Sequence, residues 1–437
     1  MKPIESLVEL DKPSHGQRRL RACHECDWVS ALPRLHPGEV ATCPRCQHVL
    51  VRRHYRPAQR SLALAISALI ALFISVSFPF VSFTMKGIGQ QIELQQTASS
   101  LLSFDQPLVA IAVALTIIIL PALYLILVVW LQLTLLFSEP QQRHRQIART
   151  LKHIHSWMMA DVFIIGALVS LFKIAGLADV ELGTAFWSYA AFAVLLLMTM
   201  RSIDDDWMWF AIAGEPRAPV STQTGQPAAE QGLTGCPTCG LINELYTQGK
   251  QHCRRCGEGL HARAPKSIER TIALLLTATI LYIPANLYPI MTTTAFGQPV
   301  DNTIMGGVIE LIHHGSWPIA MVIFVASVLV PVAKLITLTW LCISVKKVKN
   351  SSQMARLKLY RITEFVGRWS MVDVFVVSIL VALIHAGQLI SVTPGPAALA
   401  FASVVIVTML AAITFDSRLL WDESSSVKQP LRDERHD

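Results

Sequence analysis

The chain has 437 residues, 52% of them hydrophobic and only 15% charged, with a formal charge of +7 at pH 7. A soluble globular protein devotes about a quarter of its residues to charge, so this composition excludes an ordinary soluble domain and points to long apolar blocks. The positive balance does not indicate nucleic acid, because the lysines and arginines gather in alternate segments between those blocks.

The first 22 residues carry Lys2, Lys12, Arg18, Arg19 and Arg21 but no apolar run, so they do not read as a secretory signal. Four thiols follow in two close pairs, Cys23-x2-Cys26 and Cys43-x2-Cys46, with 16 residues between the pairs. Paired knuckles of this kind let four thiolates converge tetrahedrally on one Zn²⁺ at ~2.3 Å. Pro44 inside the second knuckle suits the tight turn such a site needs. A module this short has little apolar core, so metal binding would supply much of its folding free energy. A rubredoxin-like iron centre uses the same four ligands, and dithiol redox chemistry uses pairs of them. Structural zinc is the favoured reading.

Apolar blocks come next at 61–85, 107–138, 157–177 and 182–200. The stretch Gly214–Gly235 is rich in Pro, Gly, Ser and Thr and reads as a flexible tether. A second thiol group, Cys236-x2-Cys239 and Cys253-x2-Cys256, then precedes blocks at 271–300, 311–333, 369–391 and 392–415. At ~1.5 Å per residue each block is about long enough to cross a hydrocarbon core of ~30 Å. The expectation is eight spans, with Ser61 onward as the first signal-anchor. Cys342, the ninth cysteine, reads as a packing residue inside a span.

Landmarks recur at an offset of roughly 210 positions: Pro79 and Pro289, Pro107 and Pro318, Pro121 and Pro331, Trp130 and Trp340, "WMMADVF" and "WSMVDVF". The expected fold is therefore an all-α polytopic membrane protein. It is a tandem duplication of four transmembrane helices, each repeat preceded by a small zinc ribbon. Its parts are a first ribbon at 1–60, repeat 1 at 61–210, linker and second ribbon at 211–266, repeat 2 at 267–421 and a tail at 422–437. An even number of spans sets both copies the same way up, related by a pseudo-twofold axis along the membrane normal with their interface near the centre. Lysine and arginine number eleven in 1–60, four in 138–156, eight in 201–270, seven in 346–369 and four after 415, while the segments between hold one or none. This pattern places both termini and both ribbons in the cytoplasm, where thiolate–metal sites persist and disulfides do not.

Charges within spans are costly and usually have a role. Asp161 and Asp373 occupy matching places near the cytoplasmic ends of the third and seventh spans, where an acidic residue also suits a helix N-terminus. Lys173 lies ~24 Å along the third span and can snorkel to the far headgroups; His385 is its counterpart. Lys334 sits ~24 Å into the sixth span, next to the kink expected at Pro331. It is the candidate for lining a lipid-headgroup or proton site. His313 and His314 read as solvated surface. No nucleophile–base triad, P-loop or haem-attachment motif is present, so the chain reads as a non-enzyme whose use of ATP would need another subunit.

The order ribbon, four spans, ribbon, four spans resembles the paraquat-inducible protein A family. So do the strings "LPRLHPGEVATCPRC", "YIPANLYPIM", "GSWPIAMVIFVASVLVP", "EFVGRWSMVDVFVV" and "TFDSRLLWD". "LPRL" and "TFDSRLLWD" are similar to the branch that gives the family its name rather than to its lipophilic envelope-spanning tunnel relative. The resemblance implies an inner-membrane subunit of a Gram-negative envelope system, partnered by a periplasmic tunnel protein with mammalian-cell-entry (MCE) domains, paraquat-inducible protein B-like. It also implies an outer-membrane lipoprotein in some systems, and movement of phospholipid between the membranes. The eight ribbon cysteines carry over as ligands of two structural Zn²⁺ ions. Lys334 and Lys173 match lysines expected in the family, whereas Tyr124 and His385 at the paired positions show that the copies have diverged. Segments 84–106 and 292–316 are the natural docking candidates on the periplasmic side. The competing reading is an ion-coupled secondary transporter of a small amphiphile, with Asp161, Lys173, Asp373 and Lys334 as its relay. A redox membrane protein, suggested by the four-cysteine sites, is the third.

Overall fold

The computed structural model describes residues 19–85, 88–104, 106–137, 141–174, 179–214, 216–246, 251–295, 298–313, 315, 317–347, 353–384 and 390–422. Among the described residues, eight helical segments are long and apolar enough to cross a membrane: Pro57–Ser77, Pro107–Phe137, Gln142–Phe172, Thr184–Ser202, Ser267–Leu287, Ala320–Val345, Gln353–Ala382 and Pro396–Thr414. They are numbered here as spans one to eight. The elements come in the same order in both halves, from paired short hairpins through the spans.

Small side chains decide which spans pair. The buried face of the first span is Ala58, Ser61, Ala65, Ala68, Ala71 and Ser75 with Leu72. A stripe of this kind lets another backbone approach closely, which matters in lipid, where apolar burial alone does not drive helices together. The fourth span lies on that face, and Ser188 Oγ donates to the Ala71 carbonyl at 2.8 Å. The fifth and eighth spans repeat the pairing, with Ser267 Oγ donating to the Thr414 carbonyl at 2.7 Å.

The second and sixth spans each contain a π-helical turn, Leu115–Ile119 and Val325–Leu329, ending two residues before Pro121 and Pro331. The wider turn accommodates the ring where a regular helix would clash. Pro121 has no N–H to offer the carbonyl of Ile117, and the Tyr189 hydroxyl of the fourth span donates to it instead at 3.2 Å.

The third and seventh spans are broken. Helix Gln142–Ile154 ends in the turn His155–Trp157 before helix Ala160–Ile174, and helix Gln353–Gly367 ends in the turn Arg368–Met371 before helix Val372–Ile384. The inner helices are only 15 and 13 residues long. They pack on each other at the join between the halves. There the rings of Phe163 and Phe375 stand 5.4 Å apart, Ser170 Oγ donates to the Val376 carbonyl at 3.3 Å, and a Cβ on Gly166 would come 2.9 Å from that of Phe375.

Three expectations need correction. The chain is not all-α: strands Pro79–Met85, Ile88–Glu93 and Asp179–Leu182 form an antiparallel sheet in the first half, as Met291–Ala295, Gln298–Asn302 and Ile390–Pro394 do in the second. The strands satisfy backbone groups that loops there would leave open. Each sheet is locked to the next helix by a glycine: a Cβ on Gly183 or Gly395 would lie 2.1 Å from the carbonyl oxygen of Pro79 or Pro289. The third and seventh spans start earlier than the blocks 157–177 and 369–391, with helices Gln142–Ile154 and Gln353–Gly367 ahead of them. The linker is docked, not a tether, because its backbone completes the edge of the first ribbon: Val29 N donates to Gln226 O at 3.0 Å and Ala228 N to Asp27 O at 2.8 Å.

Candidate metal centres and a buried lysine

Each ribbon is two short hairpins whose knuckles face each other. In all four knuckles the first cysteine is gripped twice: Cys23 N donates to Trp28 O and Asp27 N to Cys23 O, both at 2.9 Å, with equivalent pairs at Cys43, Cys236 and Cys253. The residue after each knuckle has a left-handed backbone, Gly240 and Gly257 at φ 69° and 75° in the second ribbon, but Asp27 and Gln47 at φ 61° and 60° in the first. A side chain there costs roughly 1–2 kcal/mol.

The eight cysteines form two groups, Cys23, Cys26, Cys43, Cys46 and Cys236, Cys239, Cys253, Cys256, with the Sγ atoms in each group within 4.8 Å of one another. Cross-knuckle pairs are closer: 3.4 Å for Cys23–Cys46, 3.5 Å for Cys26–Cys43, 3.4 Å for Cys236–Cys256 and 3.5 Å for Cys239–Cys253. Sulfur ligands ~2.3 Å from a tetrahedral ion stand about 3.8 Å apart, so the donors fit one ion per group. All eight are buried. Cys342 is buried too, beside the first group in a cluster with Leu338, Leu341 and Tyr360.

Charged residues fasten the ribbons down. Asp206 accepts from Arg19 at 3.0 Å and Arg21 at 3.2 Å, with Arg53 at 3.7 Å. Burial alone would raise its carboxyl, but the three guanidiniums hold it below the ordinary value. Glu25 is likewise opposed by burial but brought to about 2 by His48 and Arg361. Arg263 reaches Asp422 at 2.6 Å and Asp27 at 3.0 Å.

Of the intramembrane candidates, Lys334 is fully placed. It is 3% exposed, and a Cβ on Gly367 would stand 2.9 Å from its Nζ. Glu364 lies one turn before Gly367 on the same helix. The turn Arg368–Met371 packs on the sixth and eighth spans, in a neighbourhood that also buries Ser327, Ser370, Asp373 and Thr408. In the first half Tyr124 takes the place of Lys334 beside a cavity of about 80 Å³, lined by Lys152, His155, Asp205, Trp209 and Thr238. That is room for a few water molecules.

Asp161 and Asp373 both fall in the first turn of their inner helices, as the dipole argument requires. Lys173 lies ~18 Å beyond Asp161 along the helix Ala160–Ile174. His385 and His314 lie outside the described residues. Glu364 was missed because it lies just outside the apolar block 369–391; its place three residues before Gly367 was the available signal.

These features define a multi-pass membrane protein carrying two four-cysteine ribbons. The model of the family described as "Paraquat-inducible protein A" matches twice, at residues 58–213 and 268–425. The chain is 39% identical over 401 residues to "Intermembrane transport protein PqiA" of Escherichia coli (strain K12), covering 92% of this chain and 95% of that one. It is 28% identical over 412 residues to "Probable intermembrane transport protein" of Haemophilus influenzae, covering 92% and 96%. It is also 28% identical over 404 residues to "Lipophilic envelope-spanning tunnel protein A" of Escherichia coli (strain K12), covering 92% and 91%. No solved structure matches. The chain belongs to the paraquat-inducible protein A family.

Proposed function

We propose that this chain is an inner-membrane subunit of an MCE-type envelope transport system, handing phospholipid or a similar lipid to or from a periplasmic tunnel protein. It works as a tandem duplication of two four-span repeats, bounded as the sequence divides them, with both ribbons and both termini in the cytoplasm and a structural Zn²⁺ in each ribbon. The observation that carries this reading is the similarity over 92% of the chain to relatives named for intermembrane transport and for an envelope-spanning tunnel. Geometry supports it with a cation buried at membrane depth, where a lipid phosphate is the fitting counter-charge. Lys334 is the residue proposed to meet the headgroup, with Glu364 as its alternative partner. The sheets at the far end of the spans replace the expected docking loops as the surface offered to the tunnel, and an outer-membrane lipoprotein would complete the system. The relatives are transport proteins, and a non-enzymatic role fits them.

In vesicles holding this chain and a purified MCE partner, labelled phospholipid should move to the partner. Lys334→Ala should slow that movement about tenfold, as expected for loss of a charge-assisted contact. Equal movement with and without the chain would overturn the reading, and movement of a water-soluble amphiphile driven by a proton gradient would favour the secondary transporter.

A further inference from the structure

The ribbons are crossed. The first ribbon follows directly into repeat 1, yet its cysteines pack in one cluster with Leu338, Leu341, Tyr360 and Phe415 of repeat 2. The second ribbon leads into repeat 2, yet Thr238 of its first knuckle lines the cavity beside Tyr124, Leu151 and Trp209 of the first half.

Two arginine contacts make each crossing. From the opposite repeat, Arg361 pairs with Glu25 and donates to the Cys46 carbonyl at 3.0 Å, while Arg149 donates to the Gly257 carbonyl at 3.0 Å and stands 3.9 Å from Glu258. From the knuckle itself, Arg45 lies 4.5 Å over the ring of Trp421, while Arg255 donates at 2.7 Å to the carbonyl of Gly214, the cap of helix Asp205–Ala213 where repeat 1 runs into the linker. Arg149 and Arg361 sit on the outer halves of the broken spans, Gln142–Ile154 and Gln353–Gly367. The second of these helices carries Gly367 against Lys334.

We propose that each ribbon is a metal-dependent clamp on the opposite repeat. A loaded first site presents Glu25 and the Cys46 carbonyl as a rigid seat for Arg361, which holds Gln353–Gly367 over the buried lysine. A loaded second site holds Gln142–Ile154 over the Tyr124 cavity in the same way. The carbonyls accepting from Arg361 and Arg149 belong to the last cysteine of one knuckle and to the residue just after another, Cys46 and Gly257, where the backbone shape depends on the thiolates sharing one ion. Emptying a site removes that seat and frees the helix of the other repeat. The device concerns how the chain is held together and stands whether or not the cargo is a lipid.

Hydrogen exchange on the full-length zinc-loaded protein in detergent, with metal content measured alongside, tests this. Cys43→Ser should speed exchange about tenfold in 353–367 and leave 142–154 unchanged, and Cys253→Ser should do the reverse. Arg361→Gln and Arg149→Gln should reproduce the two patterns with both metal ions retained. Faster exchange in the repeat that follows the emptied ribbon, equal change in both helices, or no change with Arg361→Gln would each overturn the proposal.

Discussion

Asp206 shows how a single residue here is held by its surroundings. It is 2% exposed among Arg19, Arg21 and Arg53, so Asp206→Asn would leave buried guanidiniums short of a counter-charge. A loss of about 3–5 kcal/mol is expected. Because its folded carboxyl titrates below the ordinary value, its contribution is complete above the unfolded value of about 3.9 and disappears as pH falls through the folded one. The difference in thermal midpoint between the parent and Asp206→Asn, measured in detergent, should be constant from about pH 7 to about pH 5 and shrink below about 4. A gap that grows on acidification would contradict this origin. The cysteines were legible in the sequence because ligand spacing is a local property of the chain. The crossing that gives Arg149 and Arg361 their partners was not, since it depends on contacts between residues such as Arg361 and Glu25, 336 positions apart. Their recurrence at a near-constant offset was the one visible trace.

Among the elements, the spans were readable and the sheets were not. The charge-free block 61–85 runs from the first span straight into strand Pro79–Met85, and hydropathy does not separate a helix from a strand in such a run. Pro79 was the local sign, because a residue before proline is pushed toward extended backbone, and Phe78 indeed ends the helix at φ −119°, ψ 160°. Helix Gln142–Ile154 was hidden for the opposite reason: four of its residues are Arg or Lys, so it fell outside the apolar blocks. The small-residue faces explain the pairing of spans one with four and five with eight. Ala68→Leu or Ala278→Leu, both at fully buried positions, should destabilise that pairing by about 1–3 kcal/mol through overpacking. Leu substitution at exposed Ile66 or Ile280 should not. Thermal aggregation curves of the four variants check this, and equal midpoints would remove the small-residue explanation.

For the whole molecule, two broken spans meet at the centre and two ribbons cross over them, so neither half is independent of the other. That arrangement suits a carrier in which a buried cation in one repeat is covered by a helix that the other repeat's ribbon holds in place. Native mass spectrometry of the purified protein is the most direct measurement of the central claim. A lipid-handling chain with two zinc ribbons should fly with two zinc ions and bound phospholipid, and Lys334→Ala should keep the metal while losing most of the lipid. A mass showing no phospholipid on the parent protein, or iron in place of zinc, would contradict it.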